Sequence, residues 1–205
     1  MYLSDDNVNF EGFEIKYADF PKLILAHLKK VQNTEVLEIA GRRLRSSMEA
    51  APLMNFISEV CKWGGYAGIA GRIKKYNSQD RIVTHFEQAV SRVNSGEGLA
   101  AVMASINQLS GLGTPSFSSK HLRMLFPEQC GVLDALVHKT LKIYQFDSAG
   151  FEAYCTDLVL LGDKLNSLAI SNPRQSETVS ERKTGTTWWP GDCDMAIFSR
   201  IQNWA

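Results

Sequence analysis

The chain has 205 residues, 44% apolar and 21% charged, with 22 basic and 22 acidic side chains that cancel at neutral pH. These are ordinary globular values, and the length suffices for one helical core or two tightly joined lobes. Zero net charge argues against a nucleic-acid binder driven by a large basic excess, and no apolar run is long enough to span a bilayer.

Met1–Lys16 is polar with scattered aromatics (Tyr2, Phe10, Phe13) and reads as a loosely packed or short extended arm. Met1–Asp6 has neither the basic start nor the apolar centre of a signal peptide, so a soluble cytoplasmic protein is expected. Asp19-Phe20-Pro21 starts a helix to about Val31, with Leu23, Ile24, Ala26, His27 and Leu28 forming an apolar stripe. His27, inside that stripe, reads as a packed or boundary histidine rather than a ligand. Asn33 or Thr34 caps the next helix, and Ala51-Pro52 marks a third.

Trp63-Gly64-Gly65-Tyr66-Ala67-Gly68-Ile69-Ala70-Gly71 then breaks the helical pattern, because four glycines permit turns and close backbone approach. With Trp63 and Tyr66 it reads either as an inter-helix turn filled by aromatics or as part of a pocket wall. Asn77–Asp80 turns into an amphipathic helix over Arg81–Val93, and Glu97–Leu109 is a further strong helical pattern. Phe146-Asp147-Ser148 opens a helix to about Ala169. Ser171–Thr187 is polar and reads as the one flexible loop, ending in Trp188-Trp189-Pro190-Gly191 and a last helix from about Asp192. The chain has no repeats and no alternating strand runs, so it is predicted to be all-α. The four cysteines (Cys61, Cys130, Cys155, Cys193) are scattered without a CxxC pair and read as reduced thiols rather than a metal, cluster or disulfide frame.

The stretch around which the rest is organised is Leu109–Leu141. It opens with Gly111-Leu112-Gly113, a hairpin, followed by Thr114 as an N-cap hydroxyl and Pro115 at the first helical position. The helix it starts runs to about Phe126 and is stopped by Pro127. Val132-Leu133-Asp134 then leads into another helix with Asp134 at its mouth. A helix, a glycine hairpin and a second helix can grip one phosphate, because hairpin amides and the helix N-terminus point at the same anion.

Leu109-Ser110-Gly111-Leu112-Gly113 resembles the hairpin of the helix-hairpin-helix DNA glycosylases, and Val132-Leu133-Asp134 resembles their catalytic aspartate segment. Ser116-Phe117-Ser118-Ser119-Lys120-His121-Leu122 with Phe126-Pro127-Glu128 is similar, more narrowly, to the prokaryotic 8-oxoguanine-glycosylase-like group, some relatives of which are phage-defence glycosylases. The resemblance covers about thirty residues. It implies two helical lobes, one discontinuous (1–75 and 148–205) and one carrying the hairpin motif and catalytic segment (76–147).

By the same resemblance the activity is excision of a modified base from double-stranded DNA by a monomer. The base is an oxidised purine such as 8-oxoguanine or a bulky phage-type modified cytosine. No cofactor is required, although a monovalent cation at the hairpin is compatible with the motif. Asp134 would stabilise positive charge developing on the sugar, though capping its own helix holds it ionised and weakens it as a base. The family's usual lysine position, two after the last hairpin glycine, is Pro115.

Lys120, one turn further on, is the substitute: at the edge of the buried stripe, burial would favour its neutral, nucleophilic amine. Its alternative is a phosphate-contacting or solvent lysine beside Arg123, in which case water attacks and the product is an abasic site. Gly111, Gly113, Thr114, His121 and Arg123 are the candidate backbone contacts. Trp63, Tyr66, Trp188, Trp189 and Phe198 are the candidate base pocket, with at most one of the adjacent tryptophans stacking on the base. Basic faces are sought at Arg42-Arg43-Arg45, Arg72-Lys74-Lys75, Lys120 with Arg123 and Lys139 with Lys142, each of which could equally be a solvated helix face. The competing expectation is a non-catalytic helix-hairpin-helix DNA-binding module.

Overall fold

A computed structural model describes residues 1–174 and 187–205; the loop expected over Ser171–Thr187 falls mostly on residues 175–186, outside the described residues. Among the described residues ten α-helices dominate, consistent with the all-α prediction: α1 Phe20–Lys30, α2 Thr34–Ser46, α3 Ala50–Trp63, α4 Gly68–Tyr76, α5 Gln79–Asn94, α6 Leu99–Ile106, α7 Ser116–Leu125, α8 Ala135–Leu141, α9 Ser148–Ser167 and α10 Pro190–Ile201. No described helix is long and apolar enough to cross a membrane.

The N-terminal arm corrects the expectation of no strands. Residues Tyr2–Leu3 (β1), Asn7–Phe10 (β2) and Phe13–Lys16 (β3) form an antiparallel sheet in that order, with Val8 opposite Ile15 and Phe10 opposite Phe13. Asn-Val-Asn-Phe is a period-2 pattern only four residues long, and it buries Val8 and Phe10 while Asn7 and Asn9 stay outward. A two-residue turn, Glu11-Gly12, closes β2 onto β3 with positive φ at both positions, the twist such hairpins favour. The sheet rests on α9: the chain's first amino group lies 3.4 Å from Asp157, and Lys164 Nζ sits over the Tyr17 ring.

A second difference is α4. Gly68 and Gly71 were expected to interrupt helix, yet both lie inside it, because Ile69, Ala70 and Ile73 give that segment a buried face. Burial of such a face outweighs the ~1 kcal/mol that each glycine costs a helix.

One core runs through the described residues. α1 packs on α10, α10 on α9, α9 on α6 and α6 on α5, while α2 packs on α3 and both reach α7. α7 is thus held from several sides and is buried along almost its whole length. Its closest approach is to α2, where a Cβ on Gly41 would stand 2.1 Å from the Met124 carbonyl oxygen. Only glycine lets the two helices meet there.

Candidate active site

α6, a glycine hairpin and α7 follow one another as the sequence predicts. Gly111 and Gly113 take φ of 85° and 78°, in the left-handed region. Leu109 and Leu112 are buried and anchor the hairpin, leaving Gly113 and Thr114 exposed. Asn77, just beyond α4, clamps it from behind: its Nδ2 donates to the Ser110 carbonyl at 2.9 Å and its Oδ1 accepts from the Ser110 amide at 3.2 Å. Thr114 does not cap α7; the helix starts at Ser116 with Pro115 as the preceding residue and no side-chain cap.

Asp134 does cap α8. Its Oδ1 accepts from the amides of Leu136 and Val137 at 3.0 and 3.1 Å, while Oδ2 accepts from Lys120 Nζ at 3.1 Å. The carboxylate therefore divides its contacts, one oxygen for the helix and one for the lysine. Lys120 Nζ also donates to Ser116 Oγ at 3.1 Å and lies 5.1 Å from the centre of the Phe117 ring. The lysine side chain is 7% exposed and the aspartate 17%. Gly64, at the end of α3, leaves room for them: a Cβ there would meet Lys120 Cδ at 2.8 Å and Phe117 Cε1 at 3.0 Å.

The pair lies in the wall of a cavity of about 90 Å³, whose other walls are His27 and Val31 from the α1 end, Trp63 and Gly64, Val132, and Asp194 and Phe198 from α10. Trp63 is held there by its Nε1, which donates to Thr34 Oγ1 at 3.0 Å. A larger open groove of about 400 Å³ lies between α2 and α3, but the lysine–carboxylate pair is not part of its lining.

Asp194 is the group that the sequence reading missed. Its Oδ1 accepts from the Val132 amide at 3.0 Å and from the Tyr154 hydroxyl at 2.9 Å. Burial pushes its pKa up to about 6, against the pull of the Val132 amide, Arg123 and the Tyr154 hydroxyl. The cavity wall therefore holds a carboxyl that burial keeps above the ordinary carboxylate range. The one sequence signal was an acid four positions before Phe198, on the same helix face. His27 is buried in the same wall, its pKa lowered to about 3 by burial first and then by Arg123 and Arg174.

Several predicted contacts lie elsewhere. Arg123 is fully buried and out of reach of any DNA backbone: it is ion-paired to Glu38 and donates to the Gly191 carbonyl at 3.2 Å. His121 is also fully buried, between the Phe56 and Phe86 rings, with Nδ1 2.6 Å from the Phe117 carbonyl. Burial lowers its pKa to about 4, so it offers no cation to a phosphate. Both lie on the inward faces of a helix packed from several sides, a circumstance invisible in a sequence window. Trp188 is a core residue, edge-on to Phe20 and donating through Nε1 to the Ile170 carbonyl. Trp189 is half-buried outside the cavity lining, where its amide donates to Asp192 Oδ2 at the start of α10. Tyr66 is 70% exposed and also outside the lining. Of the five aromatic candidates, the cavity brings together Trp63 and Phe198.

All four cysteines are buried and free. Among the described residues no cluster of three or more His, Cys, Asp or Glu is placed to hold a metal ion. The chain matches no protein-family model, no curated protein and no solved structure.

Proposed function

We propose that this protein is a DNA glycosylase that takes a modified base out of the duplex and breaks its N-glycosidic bond. The observation that carries the reading is the 3.1 Å contact between Lys120 Nζ and Asp134 Oδ2 in a cavity wall. The exposed Gly113 and Thr114 of the hairpin that leads into the lysine's helix support it as a phosphate grip, with Gly111 setting the turn.

Expelling a base leaves positive charge on the deoxyribose, and Asp134 Oδ2 is sited to stabilise it. In the amine route Asp134 Oδ2 takes a proton from the Lys120 ammonium. The amine lone pair then bonds to C1′ as the glycosidic electron pair leaves with the base, which takes the proton held by Asp134. The attached nitrogen passes one proton to O4′ as the C1′–O4′ bond breaks, and the ring opens to a protonated imine to Lys120. In the water route Lys120 stays an ammonium, Asp134 orients and deprotonates water, and the product is an abasic site. A cavity of about 90 Å³ is tight for a purine, so its lining must spread to seat a base. That volume favours a compact oxidised purine over a glucosylated cytosine.

The test is incubation with duplexes carrying one 8-oxoguanine or one glucosylated 5-hydroxymethylcytosine, followed by alkali or by borohydride. Base release is expected from the 8-oxoguanine duplex, and Asp134→Asn lowers it by roughly 10²–10³-fold. The fold is kept, because asparagine caps a helix as well as aspartate does. Borohydride trapping that vanishes in Lys120→Ala selects the amine route; release without trapping selects water. Binding of duplex with no release, indifferent to Asp134→Asn, would replace the proposal with a non-catalytic DNA-binding module.

A further inference from the structure

His27 lies in the last turn of α1, 3% exposed, and its ring forms part of the cavity wall. Among the described residues neither Nδ1 nor Nε2 has a hydrogen-bond partner of normal length and angle. The Phe198 and Trp204 rings hold the imidazole in place, with centroids at 6.1 and 5.8 Å. The Met195 backbone is the hydrogen-bonding group that approaches the ring, so at least one ring nitrogen is left unpartnered at the cavity wall, a cost that phenylalanine in this volume would avoid. The group is therefore either completed by water or reserved for whatever occupies the cavity.

The charged groups that act on it are Arg123 and Arg174, and Lys120, Asp134 and Asp194 line the same cavity. Burial and the two guanidiniums keep the imidazole neutral, against the smaller opposing effect of a Met195 backbone hydrogen bond. A neutral imidazole presents one N–H donor and one lone-pair acceptor. It pairs with a carbonyl or a ring N–H, and it offers nothing to a hydrocarbon.

Resting on the glycosylase reading, we infer that His27 is a specificity-determining residue: it pairs with a polar group on the edge of the extruded base. The class of ligand it selects is a planar heterocycle with an edge carbonyl or ring N–H. Asp194, which faces the same space, is the second polar contact.

The test compares wild type, His27→Phe and His27→Gln on two duplexes, one carrying 8-oxoguanine and one carrying a tetrahydrofuran abasic analogue with no base to read. His27→Phe is expected to raise Kd for the 8-oxoguanine duplex about tenfold, the worth of one hydrogen bond, and to leave the tetrahydrofuran duplex within about twofold. His27→Gln, which restores a donor and an acceptor, recovers part of the loss. Equal effects on both duplexes, or no effect on either, overturn the inference while leaving base release by wild type intact. If wild type releases no base, the glycosylase reading fails by itself. His27 is then judged by its imidazole ¹⁵N resonances during titration with 8-oxo-2′-deoxyguanosine: a shift supports the role and an unmoved ring overturns it.

Discussion

Lys120 and Arg123 stand one turn apart on α7, both buried cations facing carboxylates, and they have opposite fates. Arg123 belongs to a closed network. Glu38 pairs with both Arg123 and Arg174; Arg174 reaches Glu38 at 2.6 Å and Asp192 at 2.6 Å, and Asp192 in turn accepts from Asn172. Burial alone would push the Glu38 carboxyl up, but the two guanidiniums outweigh it and hold its pKa below the ordinary value. Lys120 has one carboxylate oxygen, one hydroxyl and a cavity beside it. A buried charge whose partners are all fixed is committed to holding helices together. One that borders a cavity keeps a side open to whatever enters that space.

Three perturbations break or sharpen this contrast. The largest effect is expected in the closed network. Arg123→Ala removes one of the two guanidiniums that compensate the buried Glu38 carboxylate, and should cost about 3–5 kcal/mol in urea or thermal unfolding. A loss below about 1 kcal/mol would mean that the network is not what fixes α7 against α2.

The next concerns the cavity side. The Asp194 pKa of about 6 lies above the ordinary carboxylate value of 3.8, so between those pH values the folded protein binds more protons than the unfolded chain. Its contribution is therefore present at pH 4 and lost as pH rises through 6, by about 2–4 kcal/mol. Unfolding of wild type and Asp194→Asn at pH 4 and pH 7 should give a difference that moves against wild type on going to pH 7. His27 and His121, held neutral, act in the opposite sense in both proteins and cancel from that difference. A difference that does not change with pH would show that Asp194 is ionised throughout. The smallest effect belongs to Tyr66→Ala, expected within about 0.5 kcal/mol of wild type in the same assay, since that ring is 70% exposed.

Much of the helix layout was legible from periodicity and punctuation. Ser78, Asp134 and Asp147 cap helices through their side chains. Pro127 follows the end of α7, and the glycine hairpin takes the backbone its residues demand. The sheet was missed because β2 alternates over only four residues inside a polar stretch, too short for the pattern to separate from a loop. α4 was missed because its glycines outweighed its three apolar positions in the reading, whereas packing weighs them the other way.

The candidate site was legible only in part. Lys120 and Asp134 were singled out by the family resemblance of their segment, and the fold joins them through one hydrogen bond. Arg123 and His121, on the same helix, were misplaced outward, since a window of sequence does not reveal that α2, α3 and α6 enclose it. Asp194 and His27 come to the cavity from α10 and α1, far apart in the chain and brought together by the packing of those two helices.

The sequence by itself thus determined most of the helices, the caps at Ser78, Asp134 and Asp147, and the hairpin, because each depends on neighbours within a few turns. Only the tertiary structure decided which polar side chains face open space and which are sealed in ion pairs. That outcome depends on how distant helices enclose a volume, and enclosure sets both the desolvation cost of a polar group and the partners left to offset it.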